Sequence, residues 1–152
     1  MKTLADRECR REIRARVEKI GPETPRRWGR MTAAQMICHV CDAFLAVMGE
    51  KAVEPPRGLN LWQLMKRWVL YAPFKWPHGV PTRPEIDQAL GGTRPAEFAE
   101  DVRRLLAAMQ RFTAEPREFA FRPHPMFGPM NEKDWMRWGY LHVDHHLRQF
   151  GV

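Results

Sequence analysis

Apolar side chains recur along most of the chain at the three- and four-residue spacing of amphipathic helices, and no stretch alternates convincingly as a half-buried strand would. The pattern predicts five helical segments: Leu4 to Ile20, Thr32 to about Gly49, a shorter aromatic segment from Leu59 to Tyr71, Pro95 to Glu115, and Glu132 to Phe150. Proline- and glycine-rich connections separate them, and the Pro55-Pro56 pair precedes the aromatic segment. Four substantial helices with long connections predict a single all-α domain over residues 1–152, built as a four-helix bundle.

Residues at the predicted helix ends support these boundaries. Thr32 followed by Gln35 gives the capping-box pattern at the start of the second helix. Asn131 is the expected N-cap of the last helix, and Gly151 is placed to end it. The irregular stretch 72–95 is longer than most connections in compact domains, so we expect it to line a site or to carry a short helical turn near residues 85–90.

The composition places the chain among ordinary folded proteins. Hydrophobic residues make up 44% and charged residues 28% of its 152 positions, which argues against disorder. The charged N-terminus lacks the apolar run of a secretory signal, and no window approaches the roughly 20 apolar residues that span a bilayer, so we expect a cytoplasmic protein with no membrane partner. Three cysteines (Cys9, Cys38 and Cys41) in such a chain argue against structural disulfides.

The net charge of +7 and the pI near 9.8 raise the question of a polyanionic partner. Much of the excess is arginine in the first predicted helix and the loop after it, where glutamates interleave at helical spacing, as Glu12 does with Arg16. We therefore favour a solvated helix face. A nucleic-acid binder is the least favoured function class, because no base-reading motif accompanies the arginines.

The last predicted helix carries the clearest chemical signal. At about 100° per residue, His142, His146 and Gln149 fall within about 60° of one another, and His145 lies at the edge of the same face. Trp135 and Trp138 share that sector. His142 and His146 are one turn apart, the spacing at which two imidazoles converge on one ion. A hydrogen-bonded histidine patch is the alternative interpretation of the pair taken alone.

The second helix supplies a third histidine. His39 lies off the main apolar stripe, on a strip where Ala43 and Ala46 leave space. A neutral imidazole from this helix would complete a three-His set with positions open for water. Asp42, one turn on, is expected either to orient an imidazole or to be an ordinary surface carboxylate. The thiols of Cys38 and Cys41 fall on another side of the helix and are interpreted as buried and inert.

The segment from His142 to Gln149, together with a single His39 on the second helix, resembles the DinB/YfiT-like superfamily. Residues 28–36 and 124–128 are similar to a small, functionally uncharacterised branch of it. The resemblance implies a DinB-type four-helix bundle in which His39, His142 and His146 bind a divalent metal, and it leaves His145 outside the ligand set. Imidazole ligands suit zinc and nickel, and also iron or copper.

The resemblance also implies classes of function. The superfamily includes metal-dependent transferases and isomerases that use low-molecular-weight thiols, proposed hydrolases, and many dimers. We therefore expect a homodimeric, metal-dependent thiol transferase or hydrolase acting on a small molecule; the alternative is a non-catalytic metal-binding or stress-related interaction protein. Gln149 is expected to hydrogen-bond a water at the site or to make a helix-end contact. The predicted pocket wall comprises Trp135, Trp138, His145, His124, Phe127 and Trp76.

Overall fold

A computed structural model of the protein describes residues 1–54 and 61–152, and over those ranges it contains five α-helices, one 3₁₀ turn and no β-strand. The helices are α1 (Arg7–Val17), α2 (Ala33–Val47), α3 (Leu61–Tyr71), α4 (Phe98–Phe112) and α5 (Glu132–Gln149), and the 3₁₀ turn is Pro84–Ile86. The all-α prediction is confirmed, and α1, α2, α4 and α5 are shorter than their predicted segments. The Pro55-Pro56 break and the predicted start of the third helix at Leu59 lie outside the described residues.

Capping side chains set the helix starts. The Asp6 carboxylate accepts the backbone N–H groups of Glu8 and Cys9, so α1 begins at Arg7 and not at Leu4. The predicted capping box is present: Thr32 Oγ1 accepts the Gln35 N–H at 3.2 Å, and Gln35 Oε1 accepts the Thr32 N–H at 2.9 Å. Asn131 likewise caps α5 through its side-chain oxygen.

The two histidine-bearing helices are the central ones. α2 packs along α4 and against α5, and α5 also contacts α1 and α3. Phe44 of α2 is fully buried, with its ring centroid 4.8 Å from that of Phe112 on α4 and 5.9 Å from that of Trp138 on α5. None of the helices in residues 1–54 and 61–152 has the length and apolar character needed to span a bilayer.

The long connection between α3 and α4 is fixed onto α2 by one buried carboxylate. Asp42 is 1% exposed and accepts hydrogen bonds from the Thr93 N–H (2.8 Å), the Thr93 hydroxyl (2.7 Å) and the Gln88 side-chain amide (3.1 Å). Lys51 Nζ lies 3.2 Å from the same carboxylate. These bonds hold the end of the connection against the helix that carries His39.

Candidate metal centre

His39 of α2 converges with His142 and His146, which lie on successive turns of α5. One candidate ligand nitrogen from each imidazole lies within 4.8 Å of the other two. The ring centroids are 5.3 Å apart for His39 and His142, 4.8 Å for His39 and His146, and 5.0 Å for His142 and His146. His39 and His146 are buried and His142 is half-buried. The structure therefore brings together the three side chains predicted as ligands.

A backbone carbonyl orients His39. Its Nδ1 lies 2.8 Å from the Ile86 oxygen at the end of the 3₁₀ turn, and because a carbonyl only accepts, Nδ1 carries the proton and Nε2 keeps a lone pair. The prediction that Asp42 orients an imidazole is wrong, since its carboxylate bonds Gln88, Thr93 and Lys51. Asp42 instead holds the segment just after Ile86, through Gln88 and Thr93, and its charge opposes the lowering of the His39 pKa.

A side-chain amide orients His146. Gln149 Oε1 lies 3.0 Å from His146 Nδ1, and Gln149 Nε2 donates to the Trp28 carbonyl at 2.9 Å. The carbonyl partner fixes which end of the amide is the donor, so Oε1 accepts from His146 Nδ1–H and Nε2 of the imidazole keeps its lone pair. Gln149 therefore makes a contact at the end of α5, with the Trp28 carbonyl, and it also positions His146.

The loop that reaches Gln149 depends on a glycine. Gly29 has φ +78°, and a Cβ at this position would lie 2.5 Å from Gln149 Nε2. The Arg27 N–H also donates to the Gln149 carbonyl at 2.7 Å. The 27–29 segment is thus held tightly against the end of α5, beside His146.

Among the three clustered histidines, His142 is the one with a buried nitrogen that lacks a partner, as His145 beside the cluster also has. Its Nδ1 is buried and has no hydrogen-bond partner among the described residues, and its ring stacks on Trp138 at a centroid distance of 5.1 Å. Buried polar atoms are seldom left unpaired, so this nitrogen is consistent with a group that the protein binds. Two further nitrogens with free lone pairs, on His39 and His146, complete a donor set that suits zinc, nickel, iron or copper.

Burial keeps the three imidazoles neutral, which is the state that binds metal. It lowers the pKa of His142 and His146 well below the ordinary value, with neighbouring imidazoles adding to the effect. It also lowers the pKa of His39, against an opposing contribution from the Ile86 carbonyl. Within residues 1–54 and 61–152 no carboxylate or thiolate joins the cluster, so the donor set is uncharged.

His145 lies beside the cluster and is not a member of it. Its ring centroid is 5.2 Å from that of His146, and its pKa is lowered to about 4, first by burial and then by the charge of Arg148. Its neighbours include Trp28 and His78, which stack on each other at 4.0 Å with an angle of 10°. His78, in the connection between α3 and α4, therefore belongs to the surroundings of the site.

A cavity of about 690 Å³ opens over the three histidines. Five of the six predicted wall residues line it: Trp138, His145, His124, Phe127 and Trp76. Trp135 is the exception among the described residues, because it is fully buried and stacks on Phe121 at 4.9 Å. It shares the angular sector of His142 but lies two turns earlier along α5, where the connection from α4 covers the helix.

His124 combines packing with cavity lining. Its Nδ1 accepts the backbone N–H groups of Met126 (3.1 Å) and Phe127 (3.2 Å), and its own backbone pairs with that of Gly128. Burial lowers its pKa to about 3. His124 is therefore a neutral acceptor that shapes the turn at the cavity wall.

The cysteines and the basic helix lie apart from this chemistry. Cys9, Cys38 and Cys41 are free and buried, and burial raises the pKa of Cys38 to about 12 and of Cys41 to about 11. On α1, ion pairs join Arg11 to Glu8, Arg14 to Glu18, and Arg16 to Asp144 of α5.

The chain belongs to the family described as "Protein of unknown function (DUF1569)", whose model matches residues 65–151, more than half of the sequence. The matched region contains α5 with His142, His146 and Gln149, whereas His39 on α2 lies outside it. No curated protein and no solved structure matches the chain. The function must therefore be argued from the site itself.

Proposed function

We propose that this protein is a metal-binding helical bundle of the DinB/YfiT-like type, in which His39, His142 and His146 hold one divalent cation, with zinc or nickel preferred over iron or copper. The observation that carries the proposal is the convergence of three neutral imidazoles, two of them with Nδ1–H engaged and Nε2 free. The sequence resemblance and the all-helical fold support the same assignment.

We further propose that the site acts on a small molecule, as a thiol transferase or a hydrolase. A bound cation would supply Lewis-acid polarisation and would lower the pKa of a water or thiol at its open positions. The chain's own residues provide the surroundings: Ile86 and Gln149 fix the two imidazoles, and Trp138 and Trp76 form part of an apolar wall that limits the access of water.

A non-catalytic, metal-binding or stress-related interaction protein is the second candidate. It shares the same metal and differs only in showing no turnover. The cavity of about 690 Å³ favours the first candidate, because its volume falls in the range typical of small-molecule sites. A panel of thiol-acceptor, ester and amide substrates, tested with zinc- and nickel-loaded protein, separates the two. We also propose a homodimer, which sedimentation would detect as twice the 17.9 kDa chain mass.

Elemental analysis of untagged protein tests the metal directly. We expect about one transition metal per chain, and we expect added zinc or nickel to raise the melting temperature of chelator-treated protein. His142→Ala should lose both effects, whereas His145→Ala, a change of the same kind three residues away, should keep both. Absence of metal together with no thermal shift would refute the proposal, as would equal metal loss in the two variants.

A further inference from the structure

The wall of the cavity over the three histidines is dominated by large apolar side chains. The lining includes four tryptophans and a phenylalanine: Trp28, Trp62, Trp76, Trp138 and Phe127. A wall of this kind gains most of its binding energy from an apolar, preferably planar, body, since aromatic rings bury large areas and stack on one another.

Three charged side chains line the same cavity: Arg30, Arg83 and Asp87. Arg83 is paired with Glu85 at 3.2 Å, and the Asp87 carboxylate accepts the Ala89 N–H at 2.9 Å. Arg30 is exposed and makes no hydrogen bond or ion pair with the described part of the chain. It is therefore a full positive charge at the cavity, while Asp87, which forms no ion pair with the described residues, is a negative charge of the same wall that acts on His39.

The position of Arg30 is tied to the metal centre. It lies two residues after Trp28, whose carbonyl accepts from Gln149, and Gln149 in turn bonds His146. The close approach of Gly29 to Gln149 keeps this loop against α5. Arg30 is thus carried by the segment that positions one of the three imidazoles.

A bound divalent cation would make the centre positive. Within the described residues no carboxylate joins the three neutral imidazoles, and Asp42 and Asp87, whose charges act on His39 from outside the cluster, would offset the charge of the cation only in part. Arg30 and a bound cation would both attract an anion. The same charges disfavour an organic cation, which is the other ligand that an aromatic wall can accept.

We propose that the cavity binds a small organic anion with an apolar body, in the class of aryl carboxylates and sulfonates, and that Arg30 supplies its counter-charge at the rim. This inference rests on the proposed function, because it names the substrate class of the same site. The expected advantage of an anionic over a matched neutral ligand is about tenfold at low salt, as one partly screened charge-assisted contact would give.

Two fluorescent probes test the proposal on chelator-treated protein. 1-Anilinonaphthalene-8-sulfonate carries a sulfonate on an aromatic body, and N-phenyl-1-naphthylamine is nearly the same body without the charge. We expect the sulfonate to bind about tenfold more tightly in low salt and to lose that advantage near 0.5 M salt. Arg30→Ala should weaken the sulfonate by about the same factor and leave the neutral probe unchanged, and Arg30→Lys should restore part of the difference.

Two control variants locate the effect. Arg7→Ala removes an exposed arginine of α1 that does not line the cavity and should change neither probe. Ala46→Phe places a ring in the cavity and should weaken both. Zinc added to the wild type should strengthen only the sulfonate. This last arm depends on the metal, whereas the Arg30 arm does not, so failure of the metal centre and failure of the anion site are distinguishable.

The proposal is overturned if the two probes bind equally in low salt, or if Arg30→Ala leaves the affinity for the sulfonate unchanged. It is also overturned if Ala46→Phe binds both probes like the wild type, because the dyes would then lie elsewhere, for example on the exposed apolar residues of α3. Loss of sulfonate binding in Arg7→Ala as well as in Arg30→Ala would indicate a general charge effect and would equally contradict it.

Discussion

Gln149 offers the sharpest test of how the proposed metal centre is held. It is 4% exposed and makes two hydrogen bonds in opposite directions, accepting from His146 Nδ1 at 3.0 Å and donating to the Trp28 carbonyl at 2.9 Å. Gln149→Leu removes both bonds at nearly constant volume. The imidazole of His146 then loses the partner that fixes its proton on Nδ1 and its ring orientation.

The expected losses follow from these two bonds. Removing the partner of a metal-binding imidazole typically costs 10- to 100-fold in metal affinity, which is about 1.4 to 2.7 kcal/mol. Leaving the Trp28 carbonyl and the His146 N–H unpaired in the interior costs the metal-free fold about 1–3 kcal/mol for each group. Zinc affinity can be measured by competition with a chromogenic chelator, and stability by urea unfolding of chelator-treated protein.

Gln149→Glu separates the two roles of the amide. A carboxylate still accepts from His146 but cannot donate to Trp28, so we expect near-normal zinc affinity with reduced stability. Asp101→Asn is a matched control, since Asp101 is 2% exposed and accepts the Ala96 N–H at 2.9 Å on the far side of α2. It should lower stability without changing zinc affinity. A folded Gln149→Leu protein that binds zinc within twofold of the wild type would refute the positioning role.

Two further substitutions test individual contacts. His124→Asn keeps an acceptor for the Met126 and Phe127 N–H groups, but the new side chain does not titrate. The pKa of His124 is lowered to about 3 in the folded wild type. The stability that neutral His124 contributes to the wild type is therefore full above pH 6.5 and is lost as the pH falls towards 3. When the pH is lowered from 7 to 5, the free energy of unfolding measured in urea should therefore fall by about 2 kcal/mol less in the variant than in the wild type. Equal falls in the two proteins would contradict a neutral, buried His124. Asp42→Asn should lower stability by about 1–3 kcal/mol, because an amide NH2 replaces one of the buried oxygens that accept from Gln88 and Thr93, and the charge that faces Lys51 is lost. Zinc affinity should change by less than about threefold; a tenfold loss would restore Asp42 as a direct partner of an imidazole.

Local pattern was enough to predict the helices and the histidine face. The three-to-four-residue spacing and the capping signals at Thr32 and Asn131 act within one or two turns, so they are readable from the sequence. The convergence of His142 and His146 follows from one turn of helix. The position of His39 opposite this pair was inferred from the small residues Ala43 and Ala46 on α2 and from the family resemblance. In the structure, one nitrogen from each of the three imidazoles could bind the same ion.

Contacts between distant segments could not be read in the same way. Asp42 lies one turn from His39, yet its partner Thr93 is 51 positions further along the chain, and nothing in the local pattern identifies it. His39 is held by the Ile86 carbonyl, and His146 is held by Gln149, which in turn bonds the Trp28 carbonyl. Backbone carbonyls are present at every residue, so no side chain in the sequence identifies these two. Gly29, directly after Trp28, is the residue in this loop whose type indicates that the backbone passes close to another side chain, here that of Gln149. Trp135 shows the other limit, because a helical wheel gives an angle but not a position along the axis.

The long irregular connections have a common purpose in this fold. The segment around Trp28 fixes His146 through Gln149, and the 3₁₀ turn fixes His39 through Ile86, while both segments also line the cavity. The helices supply the three histidines proposed as ligands, and the connections supply their orientation and the wall above them. We therefore expect metal affinity and cavity shape to be coupled. Displacing either segment should change both, whereas weakening the packing of α1 on α5 should change neither until the protein unfolds. Gln149→Leu should accordingly weaken the apolar probe as well as the metal.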